Sequence, residues 1–102
     1  MVLALATDDR GLMIFPGSAE AIAYCERVDV EAGAWSFFAE DGSPLKPNLE
    51  GRPPLYALTP DPNSSAHLAT LLDNVSYVEG CGITSVAQLE DILKRTSRDG
   101  LR

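Results

Sequence analysis

The sequence is poor in the residues from which most catalytic and metal sites are built. It has one histidine, His67, and two cysteines, Cys25 and Cys81, in 102 residues. The cysteines form no CxxC pair, which argues against a zinc site, and without a secretion signal two free thiols are expected. There is no GxxxxGK[ST] and no GxGxxG, so no phosphate-binding loop is expected. No apolar run approaches the roughly 20 residues that cross a bilayer. The apolar opening has no basic n-region before it, so it reads as a strand and the protein is expected in the cytoplasm, with no membrane partner. Repeats, low-complexity tracts and linkers are also lacking. The expectation is one compact domain over residues 1–95, followed by a flexible polar tail over 96–102.

Bases are scarce as well. Eight Lys and Arg stand against 15 Asp and Glu, a net charge of −7 with a pI near 4.4. The first fifty residues hold nine acids and three bases, the remainder six and five. Such a surface repels phosphate backbones, which disfavours direct nucleic-acid binding, and it attracts basic proteins.

What is present is an alternating, strand-rich pattern. Residues 2–7 are apolar on both faces, which predicts a central strand. Residues 12–15 follow after a short polar turn and predict an antiparallel hairpin. Ala21, Cys25 and Val28 recur at helical spacing behind the cap candidate Ser18, predicting a helix over 19–28 and an acidic connection over 29–33. Trp35, Phe37 and Ala39 alternate with Ser36 and Phe38 in a strand over 34–39, closed by the turn signal Asp41-Gly42. Two prolines make 44–49 an expected edge strand or extended arm. A strand over 55–59, a helix over 65–73 capped by Asn63 or Ser64, and a short strand over 75–79 follow. A last helix opens on the capping-box pattern Ser85/Gln88, with Thr84 as the alternative cap, and ends with Lys94 and Arg95 in its last turn. Without regular βαβ spacing, this order predicts an α+β fold: a mostly antiparallel β-sheet with about three helices packed on it.

The candidate chemistry is thin. His67 has no partner motif and reads as a boundary residue. Cys25 lies on an apolar stripe, where a small buried hydrophobe is expected, and Cys81 between glycines is expected to be exposed. Asp8-Asp9 and Glu40-Asp41 read as solvated turns first, a protein contact second and a metal third. No catalytic residue, metal ligand or cofactor is assigned.

The segments Asp8–Gly17 (DDRGLMIFPG), Trp35–Pro47 (WSFFAEDGSPLKP), Leu55–Pro60 (LYALTP) and Leu68–Gly80 (LATLLDNVSYVEG) together resemble the small acidic immunity proteins of bacterial contact-dependent growth inhibition and related polymorphic-toxin systems. The resemblance implies a stoichiometric inhibitor, not an enzyme. Its partner would be the C-terminal domain of a cognate toxin, commonly a nuclease with a basic cleft. Such families share no functional residues that could be carried over. The expected partner-binding residues come from charge, turn position and aromatic character: Asp8, Asp9, Glu31, Trp35, Glu40, Asp41 and Tyr56. The alternative is a small enzyme or ligand-binding regulatory domain, with Cys25, His67 and Tyr56 as the first residues to test.

Overall fold

The computed structural model describes residues 1–50 and 56–100. Its centre is a six-stranded sheet ordered β5-β4-β3-β1-β2-β6. The strands are β1 (Val2–Ala6), β2 (Gly11–Phe15), β3 (Trp35–Ala39), β4 (Pro44–Asn48), β5 (Ala57–Pro60) and β6 (Tyr77–Glu79). Neighbours run antiparallel except β2 and β6. Three helices complete the α+β fold: α1 (Ser18–Tyr24), α2 (Arg27–Glu31) and α3 (Val86–Gly100). None of the described helices is long and apolar enough to cross a membrane.

β1 is central because both its faces are apolar. Val2, Ala4 and Ala6 point to one side and Leu3 and Leu5 to the other, as strand alternation requires. The first side carries a core of Val2, Ala4, Phe15, Ala21, Cys25, Val30, Phe37 and Tyr56 under α1 and α2. The second carries Leu3, Leu12, Ile14, Phe38, Leu68, Leu72 and Val78 with Leu89 and Leu93 of α3. Phe37 and Phe38, expected on opposite faces, are buried in different cores.

The expected helix over 19–28 is two helices. α1 ends at Cys25, whose backbone is extended, and α2 begins after Glu26, extended as well. The break frees the Cys25 carbonyl, which accepts a 2.6 Å hydrogen bond from the Tyr56 hydroxyl. It also re-aims the chain, so that Cys25 and Val30 are buried while Val28 is 65% exposed. The span read as an acidic connection is therefore mostly α2. Gly17, not Ser18, occupies the N-cap position.

The helix expected over 65–73 is two 3-10 turns, Leu68–Thr70 and Leu72–Asn74. This segment is tied at both ends: Leu68 N–H donates to the Gly42 carbonyl and Ser76 N–H to that of Arg10. Those anchors lie at opposite ends of the sheet. A 3-10 turn rises about 2.0 Å per residue against 1.5 Å for an α-helix, so it spans the face with fewer residues. His67 caps the first turn, its Nδ1 accepting from Ala69 N–H at 3.1 Å.

β4 is not an edge strand, because β5 pairs along its outer side and takes the edge instead. The prolines are tolerated by position. Asp61 N–H donates to the Pro44 carbonyl, so the even residues of β4 bond β5 and the odd ones face β3. Pro47 cannot donate to β3, and the β3–β4 ladder registers only Phe37↔Leu45 and Phe38↔Pro44. Leu55, with which the fifth strand was expected to start, lies outside the described residues. The capping box forms as expected: Ser85 Oγ accepts from Gln88 N–H, and Gln88 Oε1 accepts from Ser85 N–H, both at 3.2 Å. α3 runs on to Gly100, past the expected end at Arg95. Residues 101–102 of the expected tail lie outside the described residues.

Gly80 closes β6 with φ +122°, and a Cβ there would overlap the Ile14 carbonyl. Gly33 has φ +79° with open space around it. Gly80→Ala should therefore cost more than about 3 kcal/mol in urea denaturation, and Gly33→Ala only about 1–2 kcal/mol of backbone strain. Equal costs would show that the Gly80–Ile14 approach is not required.

Candidate functional site

The sheet register builds an aromatic face at one end of the molecule. Trp35 pairs with Ala6, and Gly11 pairs with Tyr77. One step beyond the registered pair Leu5↔Leu12, Gly11 comes beside Ala6. The row across four strands is thus Trp35, Ala6, Gly11, Tyr77, all on the α1 side and about 14 Å from end to end. Two small residues in the middle leave room for rings from both sides. The Tyr77 ring lies over Gly11, where any Cβ would collide with it. Tyr24, at the end of α1, packs edge-on to Trp35 with centroids 6.1 Å apart, and against Phe15 at 5.5 Å.

α1 packs chiefly on β1, β2 and β5, and this face stays open. Tyr24 is 57% exposed and Tyr77 46%. Glu79, level with Met13 in the next row, is also exposed. Asp9 and Glu79 are the carboxylates that act on Tyr77, whereas the Glu20 carboxylate turns back towards Gly17 at the start of α1. Asp9 is fixed in the β1–β2 turn: its Oδ1 accepts from Gly11 N–H at 2.9 Å and its Oδ2 from the Tyr77 hydroxyl at 2.9 Å. These two bonds, the Gly11 bond first, hold the Asp9 carboxyl below its ordinary value. The same contact raises the Tyr77 phenol, to which Asp9, Glu79 and Tyr24 add smaller effects. Asp9 therefore carries a full negative charge at neutral pH beside an exposed ring.

The seven residues expected from sequence do not form one surface. Asp8 and Asp9 lie in the β1–β2 turn. Glu31 ends α2 near the same end of the sheet and is ion-paired to Arg27 at 2.9 Å. Trp35 is half-buried in the aromatic row. Glu40 and Asp41 lie in the β3–β4 turn at the far end, since Val2 pairs with Ala39 while Ala6 pairs with Trp35. A five-residue strand separates the two ends by roughly 14 Å. Asp41 is used locally, accepting from the Ser43 hydroxyl at 2.6 Å and Ser43 N–H at 2.9 Å, bonds that lower its pKa. Tyr56 is 7% exposed and belongs to the core, so its ring is not available as an interface anchor. Tyr24, Tyr77 and Glu79 were not singled out from the sequence. Their signal was a pair of small residues, Ala6 and Gly11, flanking a turn, but it reads only once the strand register is known.

Cys25 and Tyr56 meet, and His67 is not with them. Burial pushes the Cys25 thiol up to about 12 and the Tyr56 phenol up to about 12, with Asp29 and Cys25 adding smaller repulsions respectively. His67 packs its ring on Gly42 at the β3–β4 turn, beside Leu68 of the opposite core. Cys81 is exposed. Among the described residues no group of three His, Cys, Asp or Glu could hold a metal ion. On the α3 side of the sheet, a half-open cavity of about 260 Å³ lies between β3, β4 and the segment after β5, lined by Ser36, Phe38, Lys46, Asp61, Ser64 and Leu71 among others.

Three outcomes test this geometry. Tyr77→Phe should raise the Asp9 pKa part of the way back to 3.8, seen in an NMR titration of its carboxyl, while the Gly11 bond keeps it below that value. No change would mean the Tyr77 hydroxyl does not hold Asp9. For the buried pair, both folded-state values lie above the unfolded ones of 9.0 and 10.0. Their contribution to stability is intact below pH 9 and is lost as the pH rises towards about 12. An aromatic disulfide reagent at pH 8 should label Cys81 rapidly and Cys25 only on unfolding; equal rates would contradict the burial.

The chain matches no protein-family model, no curated protein and no solved structure.

Proposed function

We infer that this protein is a stoichiometric inhibitor of the immunity type, binding a basic toxin domain, a nuclease of the tRNA-cutting kind, and blocking its substrate cleft. The observation that carries the reading is the open aromatic face at the Asp9 end of the sheet. Exposed Tyr and Trp are typical anchors of protein interfaces, and the carboxylates beside them match a basic partner. The net charge of −7 adds long-range attraction that speeds association and weakens with salt. The resemblance of the chain to acidic immunity proteins supplies the class of partner. The mechanism needs no chemistry: the face occupies the basic cleft and excludes nucleic acid from it.

The test is co-expression with the product of the adjacent upstream gene, scored by survival and by binding of the purified pair. The expected result is toxicity of that product alone and rescue by this protein. Tyr24→Ala and Asp9→Lys should each weaken binding by at least about 30-fold, the effect of losing an interface anchor or reversing a contact charge. Glu40→Lys, at the far end, should change it by less than about threefold. Rescue that survives the first two changes and fails with the third would move the interface to the opposite end. A product that is harmless alone, or that does not bind, would end the reading.

A second reading, a site for a small ligand, is favoured by the cavity beside Lys46 and Asp61, which line it without forming an ion pair with each other within 4.0 Å. Heat-stability shifts with small zwitterions would test it, and their absence would leave the cavity as unfilled surface.

A further inference from the structure

We propose that the aromatic face recognises arginine specifically, taking guanidinium groups flat against the exposed rings of Tyr24 and Tyr77, with Asp9 as the counter-charge beside Tyr77. The proposal rests on the inhibitor reading and names the partner chemistry that the face selects.

Shape distinguishes the two basic side chains. A lysine ammonium is a compact, strongly hydrated point charge, whereas a guanidinium is planar, weakly hydrated and able to stack on rings while its edge donates hydrogen bonds. A site made only of flexible surface carboxylates would accept either. This site is not of that kind. Tyr24 is held edge-on to Trp35 and tilted against Phe15, so its orientation is fixed by two neighbours. Tyr77 is held down on Gly11, and its hydroxyl is tied to Asp9 Oδ2. The exposed part of each ring is therefore presented in a set position before any partner arrives. Cations are favoured over ring faces, arginine more often than lysine.

The carboxylate is set in position too. Asp9 accepts from a backbone N–H and a phenol, which keeps it ionised and immobile, and each of its oxygens retains a further lone pair for a donor. Fixed charge beside fixed rings favours a ligand that satisfies both at once, and the planar fork of arginine does so. The neighbouring charges agree in sign. Glu79 lies two residues along β6 from Tyr77 on the same face, and Asp8 precedes Asp9. Among the residues whose side chains are described, Arg10 opposes them, at the tip of the turn with φ +60°. Of the other described cations, Arg27, Lys94 and Arg95 are paired with Glu31, Glu90 and Asp91, and Lys46 lines the cavity on the other side of the sheet.

The test uses the whole protein with two probes, tetra-arginine amide and tetra-lysine amide, at low ionic strength. Trp35 is the sole tryptophan, so its emission reports the face directly. Ring signals of Tyr24 and Tyr77 in NMR spectra give an independent readout. Tetra-arginine should bind about three- to tenfold more tightly than tetra-lysine, the margin expected of ring stacking at an exposed site. Tyr24→Leu keeps the apolar area and every charge; it should narrow the gap between the two peptides, weakening tetra-arginine more than tetra-lysine. Asp9→Asn should weaken both. Equal affinities in the unaltered protein would overturn the arginine preference and leave the inhibitor reading standing. If neither peptide moves Trp35, Tyr24 or Tyr77, the face does not take cations and the inhibitor reading loses its supporting observation as well.

Discussion

Phe37 and Phe38 are neighbours in sequence and lie in different hydrophobic cores, each 2% exposed. That single constraint organises the molecule. A strand that buries adjacent rings must run through the sheet interior with a covering layer on both sides. One layer is α3 with the 3-10 segment, and the 3-10 segment reaches across the sheet from Gly42 to Arg10. The other is α1 and α2, which are seven and five residues long. A helix is about 10 Å across with its side chains, roughly two strand spacings, and a six-stranded sheet is more than twice as wide. The two short helices therefore cannot cover their whole face. On the part they leave uncovered, Tyr24 and Tyr77 are exposed. The open aromatic face is thus a geometric result of unequal cover on the two sides of one sheet.

The parts of the fold that were legible are those whose signals are local. β1 and β3 announce themselves by alternation, and the start of α3 by Ser85 and Gln88 three residues apart. The parts that were not legible depend on distant residues. Nothing between Ala21 and Val28 is a helix breaker; the helix ends at Cys25, where its carbonyl is taken by a tyrosine 31 positions later. The leucines at 68, 71 and 72 fit an α-helix as well as they fit 3-10 turns, and the choice falls to anchors at Gly42 and Arg10. Pro44 and Pro47 suggested an edge because proline cannot donate. The sequence alone does not say that Pro47 meets β3 where the ladder ends.

The same division holds for the site. Asp9 and Trp35 were visible as an acid in a turn and an aromatic in a strand. Tyr77 was not, since its value comes from a parallel pairing with Gly11, 66 positions earlier, that no local pattern encodes. Tyr56 erred the other way. It has the composition of an anchor, but its ring and hydroxyl are both consumed by the fold.

Charge alone could not choose between the two acidic turns. Both hold an aspartate in place with a backbone N–H two residues on, Gly11 for Asp9 and Ser43 for Asp41, and in both the carboxyl is lowered below its ordinary value. The difference lies in the second hydrogen bond. Asp41 takes its second from Ser43, within its own turn, so its charge closes the hairpin. Asp9 takes its second from Tyr77, on another strand, so its charge is built into a surface that also presents rings. A carboxylate that satisfies its own loop contributes to the fold whether or not a partner exists. One that is fixed beside exposed aromatics gives a partner both a charge to meet and a surface to desolvate, which is why the proposed recognition surface is assigned to the Asp9 end.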